Sequence, residues 1–395
     1  MSVRVVTLES IYQEFSSGKQ DVAAIRNFVR YVYQNASSTS ERVKYVNLFG
    51  DASFDFKNRV PASINTNIVP IYHAINGNTT GISSFMSDDF FTLMDNNEGN
   101  MQSSADLMDL AVGRMLVSSN TQASEMVNKV LEYHDERSYK RWRNNLVYYS
   151  DDPDPFLSGD YLLQKDLNEL ADEVSVANPF FNSNKIFTDA YLQEVSAGGP
   201  RYPQAKKAFI DAIELGALVL NYYGHGNEES FAVERIFEKS DAQALGNRYK
   251  YPLFITITCE FTRFDDPNRP TGGEYMYWNK DGGAIAMIAT TRQIGVSTGT
   301  NMNNLFSEDL YAFGSSITNG FKEDSSDIDL LIELNTIDPI KKGETLLKLW
   351  DKLEAFFQRK VDLLTLSSIK NPILKKNIEA SKVLVYEGNE LKVSY

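Results

Sequence analysis

The chain has 395 residues, with 39 Lys and Arg against 53 Asp and Glu, and so carries a formal net charge of −14 at pH 7. A nucleic-acid surface needs clustered basic side chains, so this balance argues against a nucleic-acid partner. The length favours two or three domains, and the single cysteine, Cys259, excludes an intramolecular disulfide. No stretch approaches the roughly 18 apolar residues of a membrane span, and no signal peptide is visible, so we expect a soluble chain.

The charge is unevenly distributed. From Gly314 to Tyr395 the sequence has 12 Lys and Arg against 13 Asp and Glu, so this last part is nearly neutral. Almost all of the net negative charge therefore lies in the first 313 residues. This contrast predicts two parts of separate origin.

Apolar patterning alternates between helical and strand periods over most of the chain. The predicted elements, in chain order, are a helix at 22–32, a strand at 45–49, a loop-rich stretch at 57–106, a strand at 111–117, a helix at 123–134, strands at 145–150, 217–223, 252–258 and 284–289, and, between these strands, helices at 161–174 and 204–215. The run at 45–49 is interpreted as a buried strand. Strands that alternate with helices predict an α/β fold whose mostly parallel sheet is covered on both faces.

Two of these apolar runs end on reactive side chains. One leads into Gly224-His225-Gly226 and the other into Cys259. Functional residues of a parallel sheet lie past the carboxyl ends of its strands, so adjacent strands would place His225 beside Cys259. An imidazole activates a thiol, and glycines that permit a sharp turn leave the N–H groups of Gly226 and Cys259 to form an oxyanion hole. The alternative is a turn histidine and a small buried cysteine; a zinc site is weaker, since structural zinc usually takes four Cys or His ligands.

The segment Asn221-Tyr222-Tyr223-Gly224-His225-Gly226, with Cys259 at the end of a later strand, resembles the gingipain-type (C25) cysteine peptidases of the caspase-like clan. Segments 48–55 and 259–267 are similar to the PorU-type sortases of type IX secretion within that family. The resemblance covers residues 1–310 and implies a gingipain-like parallel sheet flanked by helices. It also implies cleavage of secreted proteins at their carboxy-terminal sorting domains, by aminolysis as well as hydrolysis, at the cell surface.

The resemblance also implies roles for individual residues. Cys259 is the nucleophile and His225 the general acid and base. The carboxylate that orients the histidine falls at Asp152 or Asp151, for which a solvated acidic loop is the alternative interpretation. Asp160 falls near the acidic substrate pocket of Arg-specific relatives. Family members often bind Ca²⁺ through oxygen ligands, which the sequence does not identify.

From Leu310 onward the pattern changes. Gly314-Ser315 follows a short apolar run, and Asp327-Ile328-Asp329 and, later, Asp362 lie in predicted strands. Residues two apart in a strand share a face, so Asp327 and Asp329 project together, and paired carboxylates suit Mg²⁺. A Gly-Ser turn before a helix presents N–H groups to phosphates. The Asp-x-Asp pattern alone is also typical of a strand end with solvated charges.

This block is similar to the small bacterial nucleotidyltransferases of the DNA polymerase β superfamily, which are α+β domains. The resemblance implies transfer of NMP from an NTP, with ATP favoured, and in many relatives the acceptor is a HEPN-type partner protein. The residues carried over are Gly314 and Ser315 for the triphosphate and Asp327, Asp329 and Asp362 for Mg²⁺.

The two parts meet without a linker, and residues 310–314 could belong to either. We therefore predict an abrupt fusion, natural or from sequence assembly, of a peptidase domain (1–310), partial at both ends, and a nucleotidyltransferase domain (311–395) that lacks part of its first helix. A parallel sheet that lacks a central strand exposes apolar faces and unpaired backbone groups, so we expect weakened or absent peptidase activity. In the alternative, only the nucleotidyltransferase is active and the peptidase part is vestigial. The two families imply different compartments, the cell surface and the cytoplasm.

Overall fold

The computed structural model of the protein describes residues 3–38, 41–60, 65–75, 84–101, 108–153, 159–305, 309–312, 328–333, 343, 346–347, 349–350, 353–354, 360–365, 368–369 and 371–386. The chain divides into two compact units. The first comprises Met1–Asp152 and Ile186–Ile294, and the second comprises Pro153–Lys185 and Gly295–Tyr395. Within the described ranges, no helix is long and apolar enough to cross a membrane.

Helices and strands are interspersed along the chain. In chain order they are α1 (Leu8–Ser16), α2 (Val22–Gln34), β1 (Tyr45–Phe49), β2 (Tyr72–Ile75), β3 (Ser84–Ser87), β4 (Ala111–Met115), α3 (Asn120–Tyr133), β5 (Asn145–Ser150), α4 (Tyr161–Ala177), β6 (Asn182–Phe187), β7 (Glu194–Ser196), β8 (Gly199–Arg201), α5 (Pro203–Leu215), β9 (Val219–Tyr223), β10 (Ser230–Phe231), β11 (Phe237–Glu238), α6 (Lys239–Ala244), β12 (Leu253–Ile257), α7 (Gly272–Trp278), β13 (Ala286–Ala289), α8 (Val296–Leu305), β14 (Asp309–Ala312), β15 (Ile328–Glu333), β16 (Val361–Leu364), α9 (Pro372–Ser381) and β17 (Val383–Tyr386).

The main sheet of the first unit has the strand order β13-β12-β9-β5-β6. β12 pairs in parallel with β9 and β13, and β9 pairs in parallel with β5. β6, whose last residues Ile186 and Phe187 belong to this unit, forms the opposite edge from β13. The prediction of a parallel sheet within an α/β fold is confirmed.

Aromatic side chains fill the core against this sheet. Tyr149, Phe209, Tyr222, Phe231 and Phe254 are all completely buried and belong to one cluster. Strands buried on both faces read as continuous apolar runs, which is why β9 and β12 are evident in the sequence. Burying a large apolar side chain stabilises the fold by about 1.5–3 kcal/mol, so this cluster contributes strongly to the stability of the first unit.

The first two predicted strands form a sheet of their own. β1 pairs in parallel with β4, separately from the main sheet, and α1 and α2 supply much of the core beneath it. The interpretation of residues 45–49 as a buried strand is wrong, because Leu48 is buried whereas Tyr45 and Phe49 are 58% and 43% exposed. A short run of apolar letters does not distinguish a strand covered on one face from one covered on both.

The carboxy-terminal sheet of the second unit has the strand order β16-β15-β14-β17. β14 pairs antiparallel with both β15 and β17, and β15 pairs in parallel with β16. Residues 310–312, which the sequence leaves between two parts, therefore lie in this sheet. Its core is apolar, formed by Leu330, Ile332, Val361 and Leu363 with Leu346, Leu349 and Leu353 packed against them.

Candidate functional site

His225 and Cys259 lie at matching positions beyond two adjacent strands. The last paired residues of β9 and β12 are Tyr223 and Ile257, and each reactive residue follows its strand by two positions. The N–H of Gly224 also donates to the carbonyl of Ile257 at 3.3 Å, which extends the pairing. Neighbouring strands lie about 4.8 Å apart. The two side chains, both half-buried, therefore share one rim of the sheet, as the sequence predicts.

The glycines on either side of His225 are required by close packing. A Cβ atom at Gly224 would lie 2.6 Å from the Cβ of Asp151, and one at Gly226 would lie 2.5 Å from Oγ1 of Thr258. Neither residue has the positive φ of a left-handed turn. The chain bends at Gly224, as the sequence predicts, and both glycines also supply the absence of a Cβ.

The backbone around His225 is held by hydrogen bonds on both sides of the residue. Its N–H donates to Oδ2 of Asp151 at 3.3 Å, and its carbonyl accepts from Tyr222 Oη at 2.6 Å and from the N–H of Ala232 at 2.9 Å. The N–H of Asn227 donates to the carbonyl of Ser230 at 3.0 Å. None of these bonds uses the N–H of Gly226, the group that the sequence assigns to an oxyanion hole.

The backbone after Cys259 is in an uncommon conformation. Glu260 has φ 56°, in the left-handed region that residues other than glycine rarely adopt. Its N–H donates to the carbonyl of Arg292 at 3.4 Å, and its carboxylate lies 3.5 Å from Arg263. Sγ of Cys259 lies 3.9 Å from the carbonyl of Ile294. Such local strain persists only where the surrounding structure determines it, and it is common at functional sites.

Three carboxylates gather beside the histidine. Within the described part of the chain, Asp151, Asp152 and Glu234 each offer an oxygen, and these oxygens lie within 4.8 Å of one another. Burial, together with the charges of Asp152 and Glu234, raises the pKa of Asp151 well above its usual value, although the N–H groups of His225 and Asp152 oppose this shift. Oδ2 of Asp152 accepts from Tyr202 Oη at 3.0 Å. The group could hold a hard cation such as Ca²⁺, which prefers oxygen ligands.

The sequence singled out Asp151 and Asp152, and the structure shows different surroundings for them. Asp151 contacts the backbone of His225, whereas Asp152 contacts Tyr202. Glu234 was missed, because it lies in the connection between β10 and β11 with no local pattern around it. Asp160 is buried at the start of α4 and belongs to the second unit.

A buried aspartate in the segment after Cys259 was also missed. Asp265 is 1% exposed and lies 2.7 Å from Arg292 and 3.1 Å from Nε2 of His73. Burial alone would raise the pKa of Asp265, but hydrogen bonds from His73 and Arg292 lower it to about 2. The backbone carbonyl of Arg292 also accepts a hydrogen bond from the N–H of Glu260. His73, Asp265 and Arg292 together therefore support the backbone beside the cysteine.

The carboxylates of the second unit are brought together by strand register. Asp329 of β15 pairs with Asp362 of β16 in a parallel ladder, so both side chains leave the same face of the sheet about 4.8 Å apart. Asp329 is half-buried and Asp362 is exposed, which leaves their oxygens accessible to a ligand. Gly314, Ser315 and Asp327 lie outside the described residues.

Comparisons with known proteins identify both parts. Residues 1–335 match the model of Peptidase family C25, and residues 302–391 match that of Polymerase beta, Nucleotidyltransferase. Among curated proteins no match was found.

Three solved structures are similar to the chain. The Arg-specific cysteine proteinase gingipain R (RgpB) is 17% identical, with a TM-score of 0.54 over 74% of this chain and 58% of that one. The complex of the Porphyromonas gingivalis RgpB pro- and mature domains is 17% identical, with a TM-score of 0.53 over 74% and 59%. Dimeric latent PorU from Porphyromonas gingivalis is 26% identical over 35% of this chain and 13% of that chain, with a TM-score of 0.29.

At this identity the two RgpB structures show a shared fold, and the chain spans somewhat less than two thirds of their length. The carboxy-terminal match identifies a nucleotidyltransferase domain of the polymerase β type. The family match over residues 1–335 covers well over half of the sequence. The chain therefore belongs to Peptidase family C25.

Proposed function

We propose that the first part of the chain is a thiol-dependent peptidase in which Cys259 is the nucleophile and His225 the general acid and base. The observation that carries this proposal is the register of β9 and β12, which sets the two residues side by side beyond Tyr223 and Ile257. The family match and the gingipain-like fold support it.

The proposed reaction follows the ordinary course of acyl transfer. His225 takes the thiol proton, and the sulfur of Cys259 bonds to the scissile carbonyl carbon while the N–H groups of Gly226 and Cys259 bind the oxyanion. The peptide C–N bond then breaks, and His225 gives the proton to the departing amine. Water or an incoming amine then gives a proton to His225 and bonds to the acyl carbon, and the C–S bond breaks. The acyl group leaves as an acid or as a new amide, and the proton returns from His225 to the sulfur of Cys259.

The carboxylates beside the histidine favour Asp151 over Asp152 as its positioning partner, because Asp151 holds the N–H of His225. The similarity of segments 48–55 and 259–267 to the sortases suggests secreted proteins with carboxy-terminal sorting domains as substrates, at the cell surface. Bound Ca²⁺ stays a prediction, for which Asp151, Asp152 and Glu234 offer oxygen ligands.

The test is cleavage of fluorogenic Arg and Lys peptides by the purified chain. We expect Cys259→Ala and His225→Ala to lower kcat on the order of a thousandfold or more. His134→Ala is the matched control, because His134 is an exposed histidine at the end of α3. Cleavage that survives Cys259→Ala would refute the proposal.

We also propose a Mg²⁺-dependent nucleotidyltransferase in the second part, which transfers AMP from ATP to an acceptor such as a HEPN-type protein and releases pyrophosphate. The register of Asp329 with Asp362 carries this proposal, because two oxygen donors on one face of a sheet fit a hard cation. Asp327, Asp329 and Asp362 would hold the ion, and Gly314 and Ser315 would bind the triphosphate. When bound, the Mg²⁺ ion would neutralise negative charge on the phosphate groups.

Transfer of label from α-³²P-ATP to protein tests this second activity. We expect Asp329→Asn to abolish labelling and removal of Mg²⁺ by EDTA to do the same. Glu333→Gln is the control, because Glu333 is on the same strand about 13 Å away from Asp329. Labelling without Cys259-dependent cleavage would favour the alternative in which only the nucleotidyltransferase works.

A further inference from the structure

A buried phenol supports the backbone of the candidate histidine. Tyr222 is completely buried, and its hydroxyl donates to the carbonyl of His225 at 2.6 Å. The N–H of Ala232 donates to the same carbonyl at 2.9 Å. The orientation of the peptide after His225 is therefore determined jointly by a core side chain and by the loop that follows β10.

The ring of Tyr222 has little freedom to move. It stacks on Phe231 with ring centroids 3.9 Å apart and an interplanar angle of 8°, and it lies 5.8 Å from the ring of Tyr149. A close-packed interior allows few side-chain positions, so the hydroxyl is held at a fixed point below the rim. The hydrogen bond thus transmits the rigidity of the core to His225.

The chain makes room for this contact at Gly224. A Cβ atom at Gly224 would lie 2.7 Å from the hydroxyl of Tyr222, closer than such atoms approach each other. The glycine before the histidine is therefore needed in part because the phenol reaches past it. Tyr222 and Gly224 form one arrangement that places His225.

We propose that Tyr222 is a positioning residue for the peptidase, and this rests on the proposed function. Through its hydrogen bond to the carbonyl of His225 it holds the imidazole in the orientation that reaches Cys259. It takes no part in proton transfer. Its removal therefore lowers the rate of the chemical step and leaves substrate binding unchanged.

The test compares Tyr222→Phe with Tyr149→Phe in the full chain. Tyr149 is the matched control, because it is paired with Tyr222 across β5 and β9, is equally buried, and has its hydroxyl hydrogen-bonded to that of Thr188 at 2.8 Å. We expect Tyr222→Phe to lower kcat about tenfold with KM within twofold, and Tyr149→Phe to leave kcat within twofold of the wild type. Equal kcat losses in the two variants, or none in Tyr222→Phe, would overturn the inference.

A conservative replacement separates positioning from packing. p-Aminophenylalanine at position 222 keeps the ring and a weaker donor, so we expect it to recover part of the rate that Tyr222→Phe loses. It also serves as the test variant if Tyr222→Phe does not fold. If both variants fold, a kcat of the p-aminophenylalanine variant that is no higher than that of Tyr222→Phe counts against the inference. If only the p-aminophenylalanine variant folds, a kcat equal to that of the wild type counts against it.

Failure of the proposed function gives a different result. If the wild type shows no Cys259-dependent cleavage, that proposal fails, and the inference is judged by the infrared carbonyl stretch of ¹³C-labelled His225. A rise in frequency on removal of the Tyr222 hydroxyl supports the contact. An unchanged frequency contradicts it.

Discussion

The two candidate centres of the molecule are assembled in different ways. At the first, His225 and Cys259 lie beyond strand ends, where glycines let backbone segments approach closely and where a group of three carboxylates includes the buried Asp151. At the second, Asp329 and Asp362 face each other only because β15 and β16 pair in register, and Asp362 is exposed. We therefore expect the first centre to be sensitive to a single added atom and to the loss of a buried charge. The second centre depends instead on which residues of β15 and β16 are paired.

Adding one methyl group at the first centre should have the largest effect. In Gly226→Ala the new Cβ meets Oγ1 of Thr258, so the loop must move and its N–H must leave the proposed oxyanion position. Loss of one such donor costs about 10²–10³ in kcat, and we expect a fall of that size in peptide cleavage. Gly113→Ala is the control, because nothing lies within 4 Å of the added atom. Full activity in Gly226→Ala would show that the close approach is unimportant.

Removing a buried charge should destabilise the first unit. Asp265 is 1% exposed between His73 and Arg292, so Asp265→Asn leaves Arg292 without its carboxylate, a loss of about 3–5 kcal/mol in the free energy of unfolding. Because the pKa of Asp265 is lowered to about 2, its contribution is present above about pH 4 and is lost as the pH falls toward 2. Urea denaturation measures the change.

The control for this prediction is Asp135→Asn. Asp135 also pairs with an arginine, Arg137, but at the surface, where such pairs contribute little. We expect its urea midpoint to equal that of the wild type. An equal shift of the urea midpoint in the two variants would show that the buried ion pair stabilises the fold no more than the exposed one.

A further prediction concerns the pH dependence of stability. Burial is the main cause that raises the pKa of Glu274 to about 8, so between about pH 4.5 and 8 the folded chain holds a proton that the unfolded chain has lost. Stability should therefore fall as the pH rises through this range. Glu274→Gln retains the capping box with Thr271 and should flatten that fall. Thermal unfolding from pH 5 to 8.5 measures both, and parallel curves for the two proteins would contradict the prediction.

The sequence predicted those features that depend on short segments. β5, β9, β12 and β13 are apolar runs of strand length, and His225 and Cys259 are evident because each directly follows such a run. The pairing of Asp329 with Asp362 required the register of two strands, and the sequence anticipated it only through the family resemblance.

Contacts between residues far apart in the sequence could not be predicted from it. His73 and Asp265 are 192 positions apart, and no local pattern connects them. Glu234 joins the aspartates only because the loop between β10 and β11 folds over the rim. The exposure of β1 was misjudged because its apolar letters give no information on what covers each face.

The position of β14 has a practical consequence for dividing the chain. β14 lies between β15 and β17 and is hydrogen-bonded to both, so it is an interior strand of its sheet. A fragment that begins at residue 313 would leave β17 without a paired strand. It would also expose unpaired backbone groups on β15 and β17, which could then pair with another chain. Expression of the carboxy-terminal domain on its own therefore requires a start upstream of Asp309.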